Sequence, residues 1–297
     1  MKKVLIETNM PGIKFSRRGK VRDVYEFALG IIVYLLVVTT DRLSAFDVVL
    51  PDGIPGKGEV LNKISLFWFE KLKDVIDNHV LTADVSQYQK ECMGYSEQLD
   101  GRSMLVVKAK PMPVECIVRG YLSGSGWKEY KKSGTVCGIR LPEGLVESDK
   151  IPGGPIFTPS TKEEEGHDIN ISFERMIEIV GKKRAEELRD ASITLYKAGA
   201  EHAESKGIII ADTKFEFGLY NGELILIDEI LTPDSSRFWS MKTYQSGRAQ
   251  DSYDKQIVRD YLLTLDWDQT APGPRLPEDI AQKAAARYQE IYEIITG

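Results

Sequence analysis

The sequence predicts a chain of mixed helical and strand structure, strand-rich at first and mixed afterwards. Three observations carry that reading. Polar and apolar residues alternate from Gly19 to Phe27, and β-branched and leucine residues crowd Ile31–Thr39, as in strands packed on a core. Two helical stretches follow later, bounded by Ser172, Gly181 and Gly207. After the second comes Ile208-Ile209-Ile210-Ala211-Asp212-Thr213-Lys214-Phe215-Glu216-Phe217-Gly218, an apolar run and then three charges at alternate positions.

Taken in order, Val48-Val49-Leu50 precedes the turn-rich segment 51–58. A helix is expected from about Glu59 to Val75, with Leu61, Ile64, Phe67, Trp68 and Leu72 on one side. Met104–Lys108 is a further strand. It runs into Ala109-Lys110-Pro111-Met112-Pro113, whose prolines stop regular structure and suit a hinge between two lobes. Val114–Val118 is strand-like, and Tyr121–Gly126 is small and flexible. Residues 138–171 are rich in Pro, Gly, Ser, Thr and acids and are expected as one long loop. Ser172 caps a helix to Val180, and a long helix runs from Lys182 to Ser205. Asn221-Gly222 is a hairpin signal that reverses the chain into Glu223–Glu229. The last helix, Glu278–Ile295, spaces Ile280, Ala284, Tyr288, Ile291 and Ile295 for packing as an outer helix.

With 297 residues the chain can bury one large core or two. A net charge of −6 argues against a general nucleic-acid role, although local Lys and Arg clusters can still take small anions. Cys92, Cys116 and Cys137 lack CxxC spacing and cannot all pair, which suits a reducing cytosol and argues against a zinc knuckle or disulfide scaffold. Met1–Glu7 lacks the apolar stretch of a secretory signal, and Leu29–Val38 is too short to span a bilayer and reads as one or two buried strands. A cytoplasmic protein with no membrane partner is expected.

Two common nucleotide motifs fail. Gly56-Lys57 would need Gly at 51 and Ser or Thr at 58 to make a P-loop, but those positions are Pro51 and Gly58. Gly124-Ser125-Gly126 has Glu129 where a dinucleotide fingerprint needs its third glycine. A kinase-like arrangement stays open: a glycine turn with basic residues, Arg18-Gly19-Lys20-Val21-Arg22-Asp23, and a hinge after Val107. Basic strands also serve as solvated edges, so this segment is not decisive by itself.

The 208–229 segment is more specific. In an extended backbone Asp212, Lys214 and Glu216 project from one face. Such a face is often merely solvated. Here, however, Asp212 and Asp228 each follow an apolar run, where a carboxylate needs a partner. Two acids and a lysine on a stiff hairpin suit a magnesium nucleotide and a transferring phosphoryl group. One difficulty stands. A two-residue Asn-Gly turn pairs Glu216 with Ile227, which puts Glu216 and Asp228 on opposite faces. A bulge at Gly218, or a non-extended Asp212–Glu216 segment, would reconcile them, and a regular two-residue hairpin would count against a metal shared by the two acids.

Three polar loops accompany this hairpin: Thr39–Asp47, Glu115–Gly126 with Arg119 before a Ser/Gly loop, and Thr232–Trp239 with Arg237. Arginine forks and small loop residues bind phosphate or carboxylate, and together the loops suggest a polar cleft. His79 and His202 are expected in helices with structural roles. His167, in Gly166-His167-Asp168, is better placed for function. No Ser-His-Asp triad or histidine metal cluster is supported.

These segments together resemble the SAICAR synthetases (phosphoribosylaminoimidazole-succinocarboxamide synthases) of purine biosynthesis, in their longer form. The resemblance covers Gly19–Asp23, Asp41–Asp47, Pro55–Asn62, Pro113–Ser125, Thr158–Lys162 with His167-Asp168, Ile210–Gly218 and Asp228–Arg237. Pro111-Met112 departs from the two apolar residues usual there, and the hinge is the place that departure would reshape.

The resemblance implies an α+β, two-lobed, distantly kinase-like fold with antiparallel sheets and packed helices. It divides the chain into a β-rich nucleotide lobe at 1–110 and a larger lobe at 111–297, with ATP held between them. It implies that ATP drives the joining of L-aspartate to the carboxylate of carboxyaminoimidazole ribonucleotide, giving SAICAR, ADP and phosphate, through an acyl phosphate. It makes Glu216 and Asp228 magnesium ligands. Gly19, Lys20, Arg22, Lys108, Lys110 and Glu115 fall to the nucleotide. Arg119, Ser125 and Arg237 fall to the ribonucleotide phosphate and Ser123 to the substrate, with Asp41, Ser44 and Asp234 lining the cleft. Lys214 stabilises the transferring group, and Asp212 orients Lys214 or accepts an amine proton. Lys162 and His167 are loop residues for gating or aspartate recognition. The longer form points to a monomer. The rival is a kinase-like small-molecule phosphotransferase, against which the absence of His-Arg-Asp and Asp-Phe-Gly counts.

Overall fold

The computed structural model describes residues 3–30, 32–162 and 169–297. The chain forms two compact units, one of Met1–Phe69, His79–Ala109 and Asp254–Gly297, the other of Glu70–Asn78 and Lys110–Tyr253. The division at residue 110 assigned Asp254–Gly297 to the second lobe; these residues pack in the first unit.

The first unit is built on an antiparallel five-stranded sheet, in the order Lys14–Arg18, Arg22–Leu29, Ile32–Thr39, Ser103–Val107, Val80–Thr82. The apolar stretch from residue 29 to 38 is two strands, paired from Arg22 opposite Thr39 to Leu29 opposite Ile32. Tyr25, Phe27, Leu36 and Val38 alternate onto one face and close a core with Met10, Ile13, Tyr88, Cys92 and Leu99. The helix expected at 59–75 spans Lys57–Lys71 and buries Leu61, Ile64 and Trp68. The last helix, Glu278–Thr296, buries Ala284, Tyr288, Ile291 and Ile295, the face its spacing predicted. His79 is not helical. It precedes the Val80–Thr82 strand and lies 5.4 Å from the Phe69 ring, centroid to centroid.

The spine of the second unit is the 13-residue strand Ile208–Tyr220. It pairs with Ser236–Ser240 near its start, Val114–Arg119 at its centre, and Glu223–Ile227 and Lys110–Pro111 at its end. A bulge between Ile210 and Thr213 interrupts the pairing with Ser236–Ser240. Helix Lys182–Ser205 has the predicted bounds and buries Ala185, Leu188, Leu195, Tyr196 and Ala203. Tyr196 Oη donates to the Ile210 carbonyl at 2.6 Å. Gly120 makes room for that hydroxyl, because a Cβ there would lie 2.0 Å from it. Ser172 Oγ accepts from the Arg175 amide at 3.2 Å and caps Phe173–Val180, as expected.

Two expectations change. The segment read as flexible opens a helix, Gly124–Ser133. The expected loop at 138–171 contains the short strands Ile139–Arg140, Ile156–Phe157 and Ser160–Thr161. The last two pair along Val114–Arg119, a non-local partner that no local pattern encodes. Cys92, Cys116 and Cys137 are buried free thiols. Among the described residues no helix is long and apolar enough to cross a membrane.

Candidate active site

The 208–229 hairpin is regular. Tyr220 pairs with Glu223 across Asn221-Gly222, and Glu216 pairs with Ile227. Both turn residues have positive φ, +52° and +87°, as a two-residue primed turn requires. The bulge expected at Gly218 is absent, since Gly218 pairs with Ile225 on one side and Pro111 on the other. The segment Asp212–Glu216 is also extended. This regular register counts against a metal shared by Glu216 and Asp228. Alternation ends at Ile227, the last strand residue, and Asp228 leaves in a left-handed conformation with φ +67°. Its carboxylate remains within electrostatic reach of Lys214.

The long strand carries two clusters on one face. At the first, Asp212 lies opposite Arg119 in the sheet register. Its Oδ2 accepts from Arg119 Nη1 at 3.1 Å, Ser123 Oγ at 2.8 Å and Arg237 Nη1 at 2.5 Å. Arg119 also donates from Nε to Thr158 Oγ1 and from Nη2 to Ser125 Oγ, each at 3.0 Å. Burial pulls the Arg119 guanidinium below the usual arginine range; Asp212 opposes that fall and Arg237 adds to it. The Arg119 side chain is 3% exposed and that of Arg237 is 29% exposed. The two arginines therefore differ in what they can still reach.

Two glycines admit these guanidinium groups. Gly124 has φ +52°, and a Cβ there would lie 2.3 Å from Arg237 Nη2; one on Gly126 would lie 3.0 Å from Arg119 Cδ. Ser123 is the N-cap of helix Gly124–Ser133 but makes no side-chain cap bond, because its hydroxyl turns to Asp212. The helix N-terminus thus opens beside two arginines.

At the second cluster, Lys214 Nζ contacts Glu115 Oε1 closely and Glu216 Oε1 at 3.3 Å. Ser160 Oγ donates to Glu115 Oε2 at 3.4 Å, and Lys162 Nζ contacts Glu216 Oε2 closely. Burial disfavours the Lys214 ammonium, but Glu216, Glu115 and Asp228 outweigh it and hold its pKa above the ordinary lysine range. The acids that hold Lys214 are these, and Asp212 is not in contact with it; the alternative in which Asp212 orients Lys214 is not what the side chains do. Asp234 is half-buried in the neighbouring loop, where its amide donates to Thr232 Oγ1 at 3.2 Å.

The remaining candidates lie in the first unit, apart from Lys110, which sits opposite Leu219 in the second unit's sheet. Gly19 N donates to Arg22 O at 2.7 Å and closes the turn. Arg42 donates to the Gly19 and Lys20 carbonyls at 2.9 and 3.2 Å and pins that turn. The Lys20 ammonium is exposed and pairs with Asp47, and Lys108 pairs with Glu26. Ser44 is buried in the short strand Ser44–Ala45. Asp41 is fully buried. It accepts from the Leu5 and Gly58 amides, each at 2.8 Å, and from Arg102 at 3.1 Å. His167 lies outside the described residues. Thr158 is a contact that sequence reasoning did not assign; its link to Arg119 depends on strand pairing distant in sequence.

Comparison with known proteins gives the class first. The fold matches the structure described as SAICAR-synthase from Saccharomyces cerevisiae complexed with SAICAR, with a TM-score of 0.88 at 44% identity over 99% of this chain and 98% of that one. It also matches a type-2 SAICAR synthetase in complex with ADP, with a TM-score of 0.68 at 25% identity over 95% and 97%. The molecule is thus an α+β, ATP-dependent ligase. The SAICAR synthetase family model matches residues 15–274. The phosphoribosylaminoimidazole-succinocarboxamide synthases of Thermodesulfovibrio yellowstonii and Geobacter sulfurreducens are 63% and 57% identical, over 100% of this chain and 100% and 99% of their own. The chain belongs to the SAICAR synthetase family, and its activity is the phosphoribosylaminoimidazole-succinocarboxamide synthase step of purine biosynthesis.

Proposed function

We propose that the two clusters on the long strand divide the work of an ATP-driven ligation. In that reaction L-aspartate is joined to the carboxylate of carboxyaminoimidazole ribonucleotide. The observation that carries this reading is their spacing. One strand face presents an aspartate clamped by two arginines and, two residues on, a lysine bracketed by acids.

A carboxylate cannot expel oxide, so it is activated first. The γ-phosphoryl group of ATP passes to a carboxylate oxygen, giving an acyl phosphate and ADP. Lys214, held by Glu115 and Glu216, stabilises the charge on the transferring group. The aspartate amine then attacks the acyl carbon, the C–N bond forms, and the C–O bond to phosphate breaks. Asp212 receives the amine proton at Oδ1, the oxygen that takes none of its three donor bonds.

Arg237 and the N-terminus of helix Gly124–Ser133 hold the ribonucleotide phosphate, together with Ser125. Arg119, which donates once from each of its three side-chain nitrogens to Thr158, Asp212 and Ser125, is the positioning residue beneath them. Gly19, Lys20 and Arg22 take the nucleotide phosphates, and Lys108–Pro111 the adenine. Glu115 positions Lys214 instead of touching nucleotide, and Asp41 belongs to the scaffold. Ser44 and Asp234 are substrate residues in this reading.

Glu216 and Asp228 fit Mg2+, a hard cation that takes one or two carboxylates and completes its shell with phosphate oxygens and water. Both acids favour the charged form of the Lys214 ammonium. Among the described residues no group of three or more His, Cys, Asp or Glu side chains could hold a metal, so an ion here would depend on phosphate oxygens and water for the rest of its shell. Bound there, magnesium would neutralise charge on the nucleotide phosphates. The monomeric state and cytoplasmic location expected from sequence belong to this reading.

The test is ADP release that requires both aspartate and the carboxylated imidazole nucleotide. Release that ignores aspartate would favour a phosphotransferase, and no release under any combination would sink the reading.

A further inference from the structure

The carboxylate assigned above to magnesium is already occupied by cations from the chain itself. Glu216 Oε1 faces Lys214 Nζ at 3.3 Å, and Oε2 is in close contact with Lys162 Nζ. The two lysines are held differently. Lys214 sits within the long strand, between paired neighbours, and is shared with Glu115 and the field of Asp228. Lys162 directly follows the two-residue strand Ser160–Thr161, and its side chain is 38% exposed. Among the described residues its ion-pair partner is Glu216.

We propose that Lys162 is a displaceable counter-cation, which holds the Glu216 carboxylate until a divalent metal takes its place. The inference rests on the reading of Glu216 as a metal ligand. An ammonium in direct contact with a carboxylate oxygen competes with a divalent ion for it, because the two positive charges repel at that range. Of the two ammonium groups, Lys162 is the one free to leave, since it is partly solvated and its stem lies at the end of a short strand. Lys214 is restrained by a second acid on the adjoining strand. Lys162 thus keeps Glu216 paired and in place without metal, and weakens metal binding until other ligands add to it.

The probe is Mn2+, titrated into nucleotide-free protein and followed by the loss of the free-ion electron paramagnetic resonance signal. Four proteins are compared: wild type, Lys162→Met, Lys162→Arg and Glu216→Gln, each checked by thermal melting. The expected result is that Lys162→Met binds Mn2+ about tenfold more tightly than wild type. Lys162→Arg stays near wild type, and Glu216→Gln loses the site. Equal or weaker binding by Lys162→Met, with the site still lost in Glu216→Gln, overturns the counter-cation alone. Retention of the site in Glu216→Gln overturns the metal assignment of Glu216 and the counter-cation with it.

Discussion

Buried and half-buried acids in the two units keep different company. In the first unit Asp41 accepts from two backbone amides and Arg102, and Asp23 accepts from the Thr8 amide and hydroxyl and from Arg18 and Arg42. Arg42 in turn donates to the carbonyls of Ile6, Gly19 and Lys20. These charges knit backbone to backbone. In the second unit the bonds described for Asp212 and Glu216 run to side chains alone: Arg119, Ser123 and Arg237 for the first, Lys162 and Lys214 for the second. A carboxylate bonded to backbone amides cannot change partners without unfolding a segment. One bonded to lysine and arginine can exchange a side chain for a ligand. On the proposed reading Asp41 and Asp23 are scaffold and Asp212 and Glu216 are exchangeable, and the partner type is what tells them apart.

The comparison breaks most directly at Glu216. Glu216→Gln and Lys214→Met should each lower turnover at least about 10²–10³-fold with melting temperatures near wild type. Near-normal turnover in either would return that residue to the scaffold class. Asp41→Asn should do the opposite and destabilise the first unit by about 3 kcal/mol, because Arg102 loses a buried counter-charge. Turnover per folded molecule should survive, and a stable but inactive Asp41→Asn would reverse its assignment.

The two arginines sharpen the contrast within one cluster. Arg237→Ala should raise the KM for the ribonucleotide by about 10–100-fold. Arg119→Lys should act mainly on kcat, through a displaced Asp212, with a smaller change in KM. Steady-state kinetics against the ribonucleotide separate the two, and equal effects on both parameters would deny the division.

The smallest effect is at the surface. Lys108 and Lys14 hold the Glu26 carboxyl at about 2, below its ordinary 4.5. A depressed carboxylate stabilises the fold above its unfolded pKa and loses that contribution as pH falls through the folded value. The stability gap between wild type and Glu26→Gln should thus be full above pH 4.5 and close towards pH 2, and salt should shrink it. A gap that persists at pH 2 would mean that packing, and not charge, accounts for it.

Much of the second unit was legible from local signals. Ser172, Gly181 and Gly207 marked helix ends because capping and left-handed residues act over a few positions. Asn221-Gly222 fixed the hairpin register, and that register removed the bulge once expected at Gly218. The charges of the long strand were legible in the sequence, and their connections were not. The alternation of Asp212, Lys214 and Glu216 placed three charges on one face, but nothing near them in sequence points to Arg119, Thr158 or Lys162 as partners. Those contacts arise where Val114–Arg119, Ile156–Phe157 and Ser160–Thr161 meet across the sheet. The helix at Gly124–Ser133 was missed because its first residues are small and its glycines serve the arginines packed on them.

By itself the sequence determined the strand and helix periods, the turn at 221–222 and the one-sided charges of the long strand, because side-chain direction follows backbone period. Tertiary structure decided which acid holds which cation. It also decided that Asp41 braces backbone and that Asp228 turns out of its strand while staying in reach of Lys214. Those outcomes depend on pairings between segments far apart in the chain, and an ion pair forms only where folding delivers both charges.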